Sequence, residues 1–216
     1  TYYAGISNLG NDFYDPFVAG SGSGWTIGER FAPDIYKVEF SLGEMFNPNP
    51  PEPETPAPEF GTINADIVEV EGSNGVIFAG SSDDLIDASI GSEGGNRIYA
   101  SSGDDTVILG SSDRIVGGAG DDKFFAMSGG DNVITGGEGA DQFWIATAET
   151  PDAANIITDF TSGEDVLGIA GLGIGFDDLS ITQQDDNTLI AANGSELAIL
   201  QGVGADSLVV DNFVLA

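Results

Sequence analysis

The chain has 216 residues, 41% of them apolar, which is enough for a folded core. Its 36 Asp and Glu against 5 Lys and Arg give a net charge of −31, which excludes nucleic-acid backbones and anionic lipid surfaces, because both need a basic footprint; on charge alone, cations are the natural partners, or the acidity is a general solubilising surface. Cysteine and histidine are absent, so disulfides, thiolate and imidazole metal sites, Ser-His-Asp and Cys-His catalysis and the commonest general base are excluded, leaving carboxylate-pair chemistry.

The chain opens at Thr1 without the charged start and apolar core of a signal peptide, and no apolar run approaches the roughly 20 residues that span a bilayer. A removed leader or a longer precursor is the expectation. Residues 1–46 carry ten of the twenty aromatic residues, from Tyr2 and Tyr3 to Phe40 and Phe46. Interspersed glycines argue for loops and short strands there rather than helices. A segment this short is marginal as an independent domain, so it reads as a docking segment that packs on the rest of the chain or on a neighbour. Residues 47–60 form a Pro-rich linker, with six prolines between Asn47 and Glu59, and a polyproline-type spacer of roughly 40 Å is expected.

A nine-residue period begins at Gly61. The windows are 61–69, 70–78, 79–87, 91–99, 100–108, 109–116, 117–125, 126–134 and 136–144, with Ala88, Ser89, Ile90 and Thr135 as insertions. The eighth position reads Val68, Ile77, Ile86, Ile98, Val107, Ile115, Phe124, Val133 and Phe143, all apolar. The sixth reads Asp66, Gly75, Asp84, Asn96, Asp105, Asp113, Asp122, Asp131 and Asp141. Two windows, Gly117-Gly118-Ala119-Gly120-Asp121-Asp122-Lys123-Phe124 and Gly136-Gly137-Glu138-Gly139-Ala140-Asp141-Gln142-Phe143, match the full pattern G-G-x-G-x-D-x-U-x.

On these residues the sequence resembles the repeats-in-toxin family of haemolysin-type calcium-binding nonapeptide repeats. The resemblance covers residues 61–216; residues 1–60 resemble no family. It implies an all-β fold, a right-handed parallel β-roll solenoid over 61–145 with a C-terminal capping β region over 146–216. It also implies that two windows complete one coil and that each calcium ion is shared between successive turns on the same edge. Glycines in the first four positions let peptide carbonyls point at an ion, the sixth-position Asp adds a charged oxygen, and calcium accepts six to eight such oxygens. The odd-numbered windows hold Asp66, Asp84, Asp105, Asp122 and Asp141. With them go Gly80, Ser82, Ser101, Gly103, Gly118, Gly120, Gly137 and Gly139 as turn residues, and together these are the expected metal site. The even-numbered windows, with Gly75, Asn96, Asp113 and Asp131, have irregular turns and should be metal-poor, which leaves Asp113 and Asp131 as weaker candidates.

Position nine should face outward, yet it reads Phe78, Tyr99, Ile108, Val116, Phe125, Ile134 and Trp144 in most windows. A solvated face would not look like that, so something is expected to cover it. Residues 155–167 resemble the segment that closes many such rolls, an Ile-x-Asp-Phe strand followed by a Gly-x-Asp turn. The resemblance implies a last ion site at Asp159 and Asp165, with ordinary turn capping as the alternative. Thr188–Ala191 and Glu196–Leu200, joined through Asn193-Gly194, read as a hairpin, and Leu208–Leu215 as a final strand. Such caps cover the core and strand edges of a solenoid end.

The functional expectation is a non-enzymatic, secreted, calcium-dependent structural protein, a subunit of an extracellular filament, sheath or surface layer that self-associates through residues 1–46 and the apolar outer faces. No His-Glu-x-x-His helix or lipase triad is possible, and a carboxylate-only glycosidase would need a cleft domain. No small-molecule substrate is expected. The alternative is a C-terminal calcium-binding, adhesion or secretion module of a larger protein. Ice binding ranks below both, because regular Thr-x-Thr or Thr-x-Asn ladders are missing.

Overall fold

A computed structural model of the chain describes residues 56–90 and 94–216. The expected docking segment 1–46, most of the linker and the start of the fourth window lie outside the described residues. Numbered in chain order, the strands of the repeats alternate between two parallel sheets. Sheet I holds β1 (Glu59–Phe60), β3 (Val76–Ser81), β5 (Arg97–Ser102), β7 (Arg114–Ala119), β9 (Val133–Glu138) and β11 (Asn155–Ile157), each paired with the next. Sheet II holds β2 (Ile67–Glu69), β4 (Leu85–Asp87), β6 (Thr106–Ser111), β8 (Lys123–Gly130), β10 (Gln142–Thr147) and β12 (Val166–Ala170) in the same manner. Every other window thus falls in the same sheet, and two windows make one coil.

The reason is visible in the side-chain alternation. Strand residues point to opposite faces with a period of two, and eight of the nine eighth-position residues take the inner face. In sheet II the inner row runs Val68, Ile86, Val107, Phe124, Phe143, Leu167, in register from strand to strand. In sheet I it runs Ile77, Ile98, Ile115, Ile134, Ile157. All these side chains are buried, Phe124 and Phe143 stacking with ring centroids 5.3 Å apart. A core one side chain thick on each face is what strands this short can fill. Burying one such residue contributes about 1.5–3 kcal/mol, so each coil depends on its neighbours.

The eighth window is shifted by one residue from the sequence frame. Ile134, not Val133, pairs with Ile115 and enters the core, while Val133 is half-buried on the outer face beside Arg114. Ile134, expected outside, is therefore a core residue, and Thr135 takes the outward ninth position instead of being an insertion. Adjacent apolar residues made both frames legible, and the fit of the isoleucine to the inner row decides between them.

Parallel coiling outlasts the nonapeptide sequence, since β11 and β12 add a strand to each sheet beyond residue 145. The C-terminal residues then finish the stack. β13 (Leu179–Gln184), β14 (Asn187–Ala192) and β15 (Ser195–Leu200) form an antiparallel meander, and β15 pairs with β11 to extend sheet I. The expected hairpin is β14–β15, turning at Asn193 and Gly194, both at positive φ. The expected last strand is confined to β16 (Phe213–Leu215), which pairs with β12 to end sheet II. Residues 210–212 before it form a single 3-10 turn.

A candidate metal centre on the odd edge

The turns that carry the chain from sheet I to sheet II lie on one edge of the roll, the odd edge, and bring the odd-window aspartates into one column. From Asp84 onward, each aspartate reaches back to the preceding coil through its carboxylate. The backbone N–H of Asp66 donates to Oδ1 of Asp84 (2.8 Å), that of Asp84 to Asp105 (2.8 Å) and that of Asp105 to Asp122 (2.8 Å). The column goes on from Asp122 to Asp141 (2.9 Å) and from Asp141 to Asp165 (3.0 Å). From Asp84 onward all are buried, at 0–5% exposure.

Only one oxygen of each carboxylate is occupied by this ladder. The Oδ2 atoms of Asp84, Asp105 and Asp122 are buried and meet no hydrogen-bond donor. Burial, chiefly, and the neighbouring aspartates push the Asp105 carboxyl up to about 6, Asp122 to about 7 and Asp141 to about 6. Asp84 and Asp165 are raised for the same leading reason. If two neighbours about 4.8 Å apart were both ionised, their repulsion would be on the order of 3 kcal/mol at an effective dielectric near 20. No basic side chain pairs with the column among the described residues, so it is short of positive charge.

The other expected residues form two further columns in the same turns. Gly80, Ser101, Gly118 and Gly137 are one, and Ser82, Gly103, Gly120 and Gly139 the other; all eight have positive φ, from 76° at Ser82 to 134° at Gly120. At Gly118 and Gly120 the requirement for glycine is explicit. A Cβ on Gly118 would strike the carbonyl oxygen of Ser101, and one on Gly120 that of Gly103. The carbonyls of one turn are thus aimed along the stack at the next, in space that a side chain would fill. Gly117 and Gly136 similarly leave room for Oδ2 of Asp122 and Asp141. Serines at left-handed φ, Ser82 and Ser101, are strained by about 1–3 kcal/mol each in such positions, and they keep the carbonyl direction where the glycine is missing.

These donors fit a hard cation. Among the described residues no three acidic side chains are arranged to hold an ion by themselves, so one here would draw on peptide carbonyls of two successive turns and on the unsatisfied carboxylate oxygen. Oxygen-only, largely carbonyl ligation suits calcium, which tolerates irregular six- to eight-fold coordination, better than magnesium, which demands a near-ideal octahedron.

A second column runs beside the first and was not singled out in the sequence. Oδ1 of Asp83 accepts from the N–H of Asp104 (2.9 Å), Asp104 from Asp121 (2.9 Å) and Asp121 from Ala140 (2.8 Å), all exposed. The signal was present as Asp at position five in three successive odd windows. At the end of the stack, Asp165 takes the N–H of Thr161 on Oδ2 (2.7 Å) as well as that of Asp141, and Asp159 takes the N–H groups of Gly136 (2.9 Å) and Gly137 (3.0 Å). Both expected closing residues therefore cap backbone donors of the last turns.

The opposite, even edge has a different chemistry. Its column is Gly75, Asn96, Asp113, Asn132 and Asn155, joined by N–H to side-chain oxygen bonds of 2.9 Å for the first three steps and 3.4 Å for the last. The rung assigned to Asp131 is held by Asn132. Asp131 sits exposed one residue earlier at φ 57°, because the eighth window is shifted by one. Amide groups supply donors that the odd edge lacks: Nδ2 of Asn96 donates to Asp113 (3.1 Å) and Nδ2 of Asn132 to Asn155 (2.8 Å). Asp113 also receives the N–H of Gly110 (3.2 Å), so both its oxygens are engaged. Among the described residues, the buried side-chain polar atom left without a partner on this edge is a donor, Nδ2 of Asn155, which offers nothing to a cation.

The family model of the RTX calcium-binding nonapeptide repeat matches residues 90–124 and 128–144, with four copies, so this part of the chain consists of calcium-binding RTX repeats. No curated protein matches the chain. Among solved structures it is similar to the AlgE6R3 subunit of the mannuronan C5-epimerase of Azotobacter vinelandii, at 25% identity over 69% of this chain and 78% of that one, with a TM-score of 0.35. It is also similar to the extracellular lipase LipA of Serratia marcescens, at 16% identity over 74% of this chain and 40% of that one, with a TM-score of 0.34.

Proposed function

We propose that the chain is a secreted β-roll that completes its folding by taking up calcium along the odd edge, between the turns that carry Asp84, Asp105, Asp122 and Asp141. The observation that carries this reading is the row of buried Oδ2 atoms at Asp84, Asp105 and Asp122 without a donor, set among carbonyls aimed along the stack. Divalent cations there offset the repulsion within the aspartate column and act as ligands that bind the folded state alone. Few charged ligands per ion favour the weak end of the calcium affinity range, roughly 10⁻⁴–10⁻³ M as in extracellular modules, which supports a location outside the cell. The even edge, bonded through amides, stays free of metal in this reading.

A non-enzymatic, structural role follows from the same proposal. The roll is a scaffold, assembled into a filament, sheath or surface layer, with residues 1–46 docking on a neighbouring subunit. The support is the lack of histidine and cysteine and the exposed aromatic stack of Phe60, Phe78 and Tyr99 on the outside of sheet I.

Circular dichroism of the full chain at neutral pH, titrated with calcium and then with chelator, tests the first part. Strand signal that appears with calcium, disappears with chelator and is not restored by magnesium is expected; an unchanged spectrum throughout would reject calcium-dependent folding. Sedimentation under the same conditions tests the second: calcium-dependent assemblies support the subunit role, and concentration-independent monomers support a module of a larger protein instead.

A further inference from the structure

The outer face of sheet I is unlike the rest of this acidic molecule. From β3 to β9 its two outward rows contain no acidic residue, although the chain has 36. They contain instead two of its five basic residues, Arg97 and Arg114, directly in register on neighbouring parallel strands and both exposed. Like charges on neighbouring strands, whose backbones lie about 4.8 Å apart, repel each other, and neither arginine forms an ion pair among the described residues. Beside them the second row steps from Tyr99 down to Val116 and Thr135. With Arg97, Arg114 and Val133, these residues line a shallow groove of about 230 Å³.

The Tyr99 ring is fixed from behind. It stacks on Phe78 (centroids 5.0 Å apart, planes at 10°), which stacks on Phe60 (5.3 Å, 11°). On its other side the row continues with the much smaller Val116, so Tyr99 forms a wall of the groove. Farther along, the groove is lined by Thr135, whose hydroxyl is hydrogen-bonded to that of Thr158 at 2.7 Å and supplies a polar oxygen.

We infer that this groove binds an acidic polysaccharide, one charged sugar unit seated in it. The three chemistries side by side match such a unit: paired guanidiniums for a carboxylate or sulfate, which arginine holds in bidentate fashion; an aromatic wall and two valines for the apolar C–H face of a pyranose ring; and hydroxyls for its hydroxyls. A polymer fits better than a free sugar because the same face continues past the groove on both sides, toward Phe78 and toward Ile156. An anion between the arginines also removes their mutual repulsion. Among the described residues the negative charge is concentrated outside the strands, and at physiological salt it is screened over about 8 Å, so a contact on the face is not forbidden by the net charge.

The test uses the calcium-loaded full chain and calorimetric titration with oligosaccharides of chondroitin sulfate and of polygalacturonate, with dextran and poly-glutamate as comparisons. Binding of at least one acidic saccharide, none of dextran, and an affinity loss of about ten-fold or more in R97Q/R114Q are expected, the size of losing charged hydrogen bonds; Y99A should weaken binding too, and R97K/R114K should retain part of it. The variants' spectra and calcium titrations should match the unaltered chain, which separates this inference from the calcium reading. Failure to bind either acidic saccharide, equal binding by R97Q/R114Q (calcium bridging at the acidic edge), or equal binding of poly-glutamate (an acidic-peptide site) would each overturn it.

Discussion

Replacing Asp122 by asparagine separates two roles of its carboxylate. The amide oxygen still accepts the N–H of Asp105, as Asn132 does for Asp113 on the even edge, so the ladder survives. The buried charge does not. D122N should therefore weaken calcium binding by about ten-fold or more while making the calcium-free chain more resistant to urea, opposite signs that calcium titration and denaturation can read separately. D113N on the even edge should leave calcium affinity unchanged. A second contrast concerns glycine. Gly120→Ala combines φ of 134° with a Cβ placed on the Gly103 carbonyl, whereas Gly163→Ala has φ of 91° and open space around it. The first should cost several kcal/mol in thermal or chemical denaturation, and the second about 1 kcal/mol.

At the scale of the turn and strand, the proposed calcium sites on the aspartate column would make pH and calcium competitors. Asp105, Asp122 and Asp141 titrate at about 6, 7 and 6 in the folded chain, above the 3.8 of an unperturbed aspartate. Between these values the folded state binds more protons than the unfolded state, so without calcium the stability of the roll must fall as pH rises from about 4 to 7. The metal-free chain is accordingly expected to be more stable at pH 5 than at pH 7.5, and calcium affinity to be weaker at pH 5; denaturation and binding isotherms at the two pH values would check both. This element was also the most legible from sequence. Eight of the nine eighth-position residues proposed for the core are in it, because an apolar residue every nine positions admits one phase. The exception, Val133, lies where Asp131-Asn132 and Val133-Ile134 each offer two adjacent residues suited to the same place, and only the packing of neighbouring coils chooses. β13 was missed for another reason: it joins the cap with mostly exposed side chains, so no burial pattern marked it. The position-five column of Asp83, Asp104 and Asp121 became meaningful only once the coil brought them together.

The whole molecule is a stack whose ends must be closed. The meander from β13 to β15 and strand β16 pair with β11 and β12, and together they cover Ile157, Leu167 and Ile169, which are buried completely or nearly so. A chain ending at Ala170 would expose this core and two strand edges. It should aggregate even with calcium present, which size-exclusion chromatography would show as material in the void volume; a soluble monomer would mean that the last coil closes itself. Along the axis, the proposed placement of the metal rests on the asymmetry between the edges: unsatisfied carboxylate oxygens on one edge, amide-bonded rungs on the other. A crystal structure grown in calcium, with anomalous difference density, tests this most directly. Peaks are expected between the turns of Asp84, Asp105, Asp122 and Asp141, with none beside Asn96, Asp113 or Asn132. An odd edge without peaks, or ions along the even edge, would contradict the account.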